Sequence, residues 1–138
     1  MVAFKREPQL CVFMENRPGR FAEVCDLLYG QGINIRAMNV TPNLDFGVMR
    51  MVVDDADRAT VALEAERIPF LETEVLTLEV ANRPGVAAAL AHQLAGAGIN
   101  IEYTYFSGGE PGSRALMIFM VSDPERAEES LKSLSLET

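Results

Sequence analysis

One stretch of this sequence is used twice. Asn16-Arg17-Pro18-Gly19, followed by Gly30-Gln31-Gly32-Ile33-Asn34-Ile35, returns as Asn82-Arg83-Pro84-Gly85, followed by Gly96-Ala97-Gly98-Ile99-Asn100-Ile101. The displacement that carries Asn16 onto Asn82 also carries Gly32 onto Gly98, with no slip between the two motifs. Motifs that keep a common offset mark a duplicated structural unit. Each copy reads as a strand, a tight turn, a helix, a glycine-marked stop and a second strand. A chain of 138 residues holds one ordinary domain or two small ones, and the repeat selects the second: residues 1–72 and 73–138.

Within the first copy, Gln9 to Met14 is a nearly continuous apolar run, as a strand buried on both faces requires. Pro18 suits a first helical position, where its missing N–H costs nothing. Phe21, Val24, Cys25 and Leu28 then follow at helical spacing, and Gly30 and Gly32 supply a left-handed stop. Strands over 33–41 and 46–53 flank a loop at Thr41-Pro42-Asn43-Leu44-Asp45. Asp54-Asp55 offers an N-cap for a helix through Glu66, and Pro69 to Thr73 reads as a fourth strand.

The second copy repeats the order: strand 75–81, helix 85–95, strand 99–106, strand 115–121, and a helix opened by Asp123-Pro124 and running to Leu134. Its loop, Ser107 to Ser113, is expected to be longer and looser than its counterpart. The order β-α-β-β-α-β is the ferredoxin-like split βαβ, so the expected class is α+β with two such units in tandem. Nearly nothing follows the last helix, so the second copy lacks a fourth strand. The offset of the repeat lays Met1–Glu7 on Arg67–Thr73, with Phe4 on Phe70. The N-terminal segment is either that strand, lent to the second unit, or a frayed end.

Helices on one face leave the other face of each sheet open. Leu116, Ile118 and Met120 share one parity while Met117, Phe119 and Val121 share the other, and Leu10, Val12 and Met14 alternate with Cys11 and Phe13. Strands apolar on both parities are buried on both faces. Each such side chain left in water forfeits about 1.5–3 kcal/mol. The other unit or a second chain is expected to cover them. Arg50 interrupts the pattern, as a paired charge at an interface or a rim residue in water.

Composition narrows the partners. With 12 Lys and Arg against 20 Asp and Glu, the net charge is −8, which disfavours nucleic acid. No apolar run reaches the roughly 18 residues of a membrane span, and the N-terminus lacks a signal-peptide core, so a cytoplasmic location is expected. Cys11 and Cys25 have no metal-ligand spacing and read as small buried hydrophobes. His92 is the single histidine, which makes a histidine metal site or a Ser/His/Asp triad hard to assemble; it reads as a surface residue of an Ala-rich helix, with a lone general base as the alternative. No cofactor, metal or catalytic residue is expected.

The turns carry the chemistry that remains. Each places backbone N–H groups at a helix N-terminus, which attracts a small anion. Gly19 and Gly85 allow close approach to the backbone. Asn16 and Asn82 flank the turns, and Asn34 and Asn100 start the next strand at the same spacing in each copy. Donors for a carboxylate and acceptors for an ammonium suit an amino acid. Asn-Arg-Pro-Gly also simply makes a good turn, and both readings stand at this point.

Glu15-Asn16-Arg17-Pro18-Gly19 with Gly32-Ile33-Asn34-Ile35, and their second copies, resemble the signature of ACT domains, the amino-acid-sensing modules of biosynthetic enzymes such as phosphoglycerate dehydrogenase. Asp45 to Arg50, Tyr103 and Tyr105 also fit stand-alone tandem members. The resemblance implies a ferredoxin-like fold, paired units, a homodimer, and an amino acid bound where units meet. It implicates Asn16, Arg17, Pro18, Gly19, Arg20, Phe21, Asn34 and Ile35 in the first copy. In the second it implicates Asn82, Arg83, Pro84, Gly85, Val86, Asn100 and Ile101. Met14 and Val80 stand where the dehydrogenase's serine site has a histidine, so serine specificity does not transfer and a more apolar amino acid fits better.

The function expected is therefore non-catalytic and regulatory: an amino acid shifts assembly or a partner contact. The alternative is a regulatory subunit of a biosynthetic enzyme such as acetolactate synthase, whose small subunit has only one ACT copy. RNA recognition by the same fold needs exposed aromatics and basic flanks, which the acidic balance opposes.

Overall fold

The computed structural model describes residues 3–42 and 45–134. Residues 1–2 of the N-terminal segment, and Asn43 and Leu44 of the first loop, lie outside the described residues. In chain order the elements are β1 (Ala3–Glu15), α1 (Arg20–Gly30), β2 (Ile35–Pro42), β3 (Phe46–Val53), α2 (Ala56–Ala65), β4 (Phe70–Ala81), α3 (Val86–Gly96), β5 (Ile101–Gly108), β6 (Arg114–Val121) and α4 (Pro124–Leu131). The class is α+β, with two ferredoxin-like βαββαβ units. One compact unit is Pro8–Thr73; the other joins Met1–Glu7 to Glu74–Thr138.

The strands differ from expectation where the chain changes unit. The segments 9–14 and 3–7 form one strand, β1, and the segments 69–73 and 75–81 form another, β4. Each long strand is divided between units, at Glu7/Pro8 and at Thr73/Glu74. Pro8 has no N–H to give to a ladder, and it stands at one of these crossings.

In the unit Pro8–Thr73 the strand order is β2-β3-β1-β4, with β3 antiparallel to both neighbours. Leu10, Val12, Met14, Met49, Met51 and Val53 face Val24 and Leu28 of α1 and Ala59 and Leu63 of α2, and Phe70 packs on this core. In the other unit the order is β1-β4-β6-β5. Leu76, Leu78, Val80, Met117, Phe119 and Val121 face Leu90 and Leu94 of α3 and Ala127 and Leu131 of α4. Phe4 packs on this second core as Phe70 does on the first.

The helix ends follow local chemistry. Asp55 and Asp123 cap α2 and α4, their side chains accepting from the backbone N–H of Arg58 and Arg126. Helices α1 and α3 end alike, with Ile33 N–H donating to Leu28 O and Ile99 N–H to Leu94 O, both at 3.0 Å. Gly32 (φ +69°) and Gly98 (φ +73°) take the left-handed conformation this stop requires; Gly30 does not.

The parity facing away from the helices is also partly dry. Ala37 and Val52 are buried in one unit, and Val75, Thr77 and Ile118 in the other. Arg50 is half-buried and donates to Thr41 Oγ1 on the adjacent strand at 3.0 Å.

Candidate functional site

The two repeated turns share a backbone. Gly19 (φ +86°) and Gly85 (φ +91°) are the N-caps of α1 and α3, both left-handed. A Cβ at either would meet nothing within 4 Å, so the dihedral, not crowding, demands glycine. Pro18 and Pro84 therefore stand before the N-cap, in the turn, and not at the first helical position that their type suggested. Unlike α2 and α4, neither helix receives a side-chain cap. Both open with backbone N–H groups that no side chain takes up, in the positive end of the helix dipole.

The side chains at the two turns diverge. At the first, Glu23 of the opening helical turn accepts from Arg17 Nη1 and Nη2 at 3.3 and 3.2 Å and from Arg20 Nη1 at 2.9 Å. Arg20 Nε is buried 2.9 Å from Glu15 Oε2, close enough for an ion pair but not aligned as a hydrogen bond. Hydrogen bonding from Arg17, then from Arg20, holds the Glu23 carboxyl below its ordinary range. Arg17 is in turn held above its own, chiefly by the hydrogen bond to Glu23. This turn carries its own carboxylate.

At the second turn the corresponding positions are small and uncharged: Val86 for Arg20, Ala87 for Phe21 and Ala89 for Glu23. No acidic residue lies in the first turn of α3. Beside it is a cavity of about 80 Å³ walled by Val80, Val86, Ala87, Phe106, Ala115 and Met117, with Ala81, Asn82 and Arg83 completing it. Phe106 is 61% exposed. It pairs across the strands with Met117, and Val40 holds the equivalent place opposite Met49.

The asparagines separate by role. Asn82 Nδ2 donates to Gly109 O at 3.0 Å and Glu110 O at 3.2 Å, while its backbone exchanges bonds with Ser113 and Gly112. The loop between β5 and β6 is longer than its counterpart, as expected, but it is tied into the turn and not loose. Asn16 is exposed, and its N–H donates to Asp45 O at 3.5 Å. Asn34 and Asn100 lie elsewhere. Their N–H groups donate to Asp54 Oδ1 and Ser122 Oγ, at the far ends of β3 and β6. Asn16 adjoins the start of β3 and Asn34 its end. The length of β3 puts roughly 23 Å between them. Within one unit the two asparagines do not meet, and neither do Asn82 and Asn100. Ile35 and Ile101, which follow them, pack against the two cores.

Of the residues around this cavity the sequence pointed to Asn82, Arg83 and Val86, and to Val80 as an apolar position beside them, but not to Ala81, Ala87, Phe106, Ala115 or Met117. The signal available was the change from Arg20-Phe21 to Val86-Ala87 within an otherwise faithful repeat. His92 is exposed, Cys11 is buried, and burial pushes the Cys25 thiol up. Among the described residues no group of His, Cys, Asp and Glu could hold a metal ion. No helix among them is long and apolar enough to cross a membrane.

Comparison with known proteins agrees with this architecture. The sequence matches the ACT domain pair family over residues 6–137. The crystal structure of protein BT0572 from Bacteroides thetaiotaomicron superposes with a TM-score of 0.86 at 32% identity, covering 94% of this chain and 88% of that one. The ligand-free regulatory subunit of aspartate kinase from Thermus thermophilus superposes with a TM-score of 0.69 at 23% identity, covering 95% and 92%. No functionally curated protein matches the sequence. The chain belongs to the ACT domain pair family.

Proposed function

We propose that this ACT domain pair is a regulatory protein that binds a free amino acid at a helix-opening turn and acts through that binding, without chemistry of its own. One observation carries the reading. The turn before α3 combines an uncapped helix start, no acidic side chain in its first turn, and an adjoining apolar cavity. An α-carboxylate meets the N–H groups and the dipole, while the side chain leaves water for the cavity. Asn82 holds the rim loop in place. Since Asn34 and Asn100 lie at the far end of their own units, they contribute to a turn only from a different unit, as a second copy of the chain would supply. The reading includes a homodimer as one source of that different unit.

A second reading is a subunit that regulates a separate biosynthetic enzyme. The end-to-end correspondence with a separate regulatory subunit of aspartate kinase favours it. Acetolactate synthase suits less well, because its small subunit has a single ACT copy where this chain has two. Co-purification of a catalytic subunit distinguishes this reading from a free-standing sensor.

The test is a thermal-shift screen of the standard amino acids against the full chain. A ligand that binds only the folded state adds about 2.7 kcal/mol at a hundredfold excess over its dissociation constant. At least one amino acid is expected to raise the melting temperature. If none does, the reading fails.

A further inference from the structure

The two turns are not equivalent receivers. Resting on the amino-acid-binding reading above, we infer that the second unit alone takes the ligand, and that it selects an aliphatic side chain of about three or four carbons. The first turn is occupied by its own groups. Arg20, whose side chain is only 17% exposed, stands where the second turn has Val86, and Glu15 and Glu23 both lie 2.9 Å from its guanidinium. Glu23 already presents a carboxylate at the start of α1, where an incoming anion would meet repulsion. Phe21 replaces Ala87, the residue that opens the wall of the second turn's cavity.

The cavity's size and lining set the selectivity. Its volume of about 80 Å³ is several times the roughly 10–15 Å³ that admits one water and about half the ~150 Å³ cavity that holds a benzene ring. A few methyl groups fill it, and an aromatic ring would stand partly outside. Val80, Val86, Ala87, Ala115, Met117 and Phe106 offer no side-chain hydrogen-bond partner; of the two polar residues that complete the lining, Asn82 spends its amide N–H groups on Gly109 O and Glu110 O and Arg83 is exposed, so a hydroxyl or amide directed at the apolar wall leaves its polar atoms unpaired. Selection is by shape and polarity.

Calorimetric titration of the full chain with valine, leucine, isoleucine, serine, aspartate, lysine and phenylalanine tests this. One site per chain is expected, with valine, leucine or isoleucine at least tenfold tighter than the rest. Ala87→Phe, at an exposed position, should weaken binding tenfold or more, whereas Ala22→Phe in the first turn of α1 should leave it unchanged. Val86→Ala, which deepens the cavity, should shift preference from valine toward leucine, and this keeps the inference testable if Ala87→Phe misfolds. Tighter binding of a polar, charged or aromatic amino acid, two sites per chain, or loss of binding in Ala22→Phe alone would overturn the inference and leave the amino-acid-binding reading intact. No binding of any amino acid would remove both.

Discussion

The turn opening α1 and the turn opening α3 have one backbone and two chemistries. Each has a left-handed glycine N-cap and no side-chain cap, and each is followed by a helix with the same stop. At the first, Arg17, Arg20, Glu15 and Glu23 close on one another. At the second, small apolar residues leave a hollow and the helix start keeps its charge unanswered. Both copies keep the same helix-opening backbone, and the side chains around it differ. What a repeat preserves is the backbone requirement; what it relaxes shows where the two copies can do different things.

The largest effect should confirm how alike the two scaffolds are. Leu28 and Leu94 hold matching, fully buried positions behind the turns, and their carbonyls receive the stop bonds. Leu28→Ala and Leu94→Ala should each cost about 2–5 kcal/mol in denaturant unfolding. A cost under about 1 kcal/mol at either would break the equivalence. Next, Gly19→Ala and Gly85→Ala should each lose about 1–2 kcal/mol, because alanine is strained at these dihedrals. Very different losses would mean that the backbones are not the shared element.

Smaller effects should expose the divergence. Asn82→Ala removes two donated hydrogen bonds to the β5–β6 loop and should cost about 1 kcal/mol, with Asn16→Ala within about 0.5 kcal/mol of wild type. Equal losses would sink the assignment of Asn82 to the loop. The smallest effect concerns Glu23. Its carboxyl is held below the ordinary range, so the Arg17–Glu23–Arg20 set stabilises the fold above the unfolded carboxylate's titration and is lost as pH falls through the lowered value. Wild type should therefore melt slightly above Glu23→Gln at neutral pH, and the gap should close below the ordinary glutamate value of about 4.3. A gap that widens in acid would reverse the sign and contradict the clamp.

Much of the fold was legible because it is written in local chemistry. The common offset of the two motifs, the Asp55 and Asp123 caps and the apolar parity of β3 and β6 each fix an element without reference to distant residues. The continuity of β1 and β4 was not legible, since Pro8 and the charged Glu72 and Glu74 look like strand ends when only local pattern is read. The site was half legible. Glycine and proline announced the turns, but Phe106, Ala115 and Met117 reach the cavity through strand register, which no short motif encodes. That Asn16 and Asn34 lie apart within a unit was not legible either, since sequence spacing does not reveal that β3 lies between their strands and keeps them at opposite ends.

The most direct measurement is an amide chemical-shift map of the full chain titrated with valine. The account predicts that the N–H signals of Ala87 and Ala88 and of the neighbouring Phe106 move with ligand, while those of Phe21 and Ala22 stay in place. Movement centred on Phe21 and Ala22, with Ala87 and Ala88 unmoved, would contradict it.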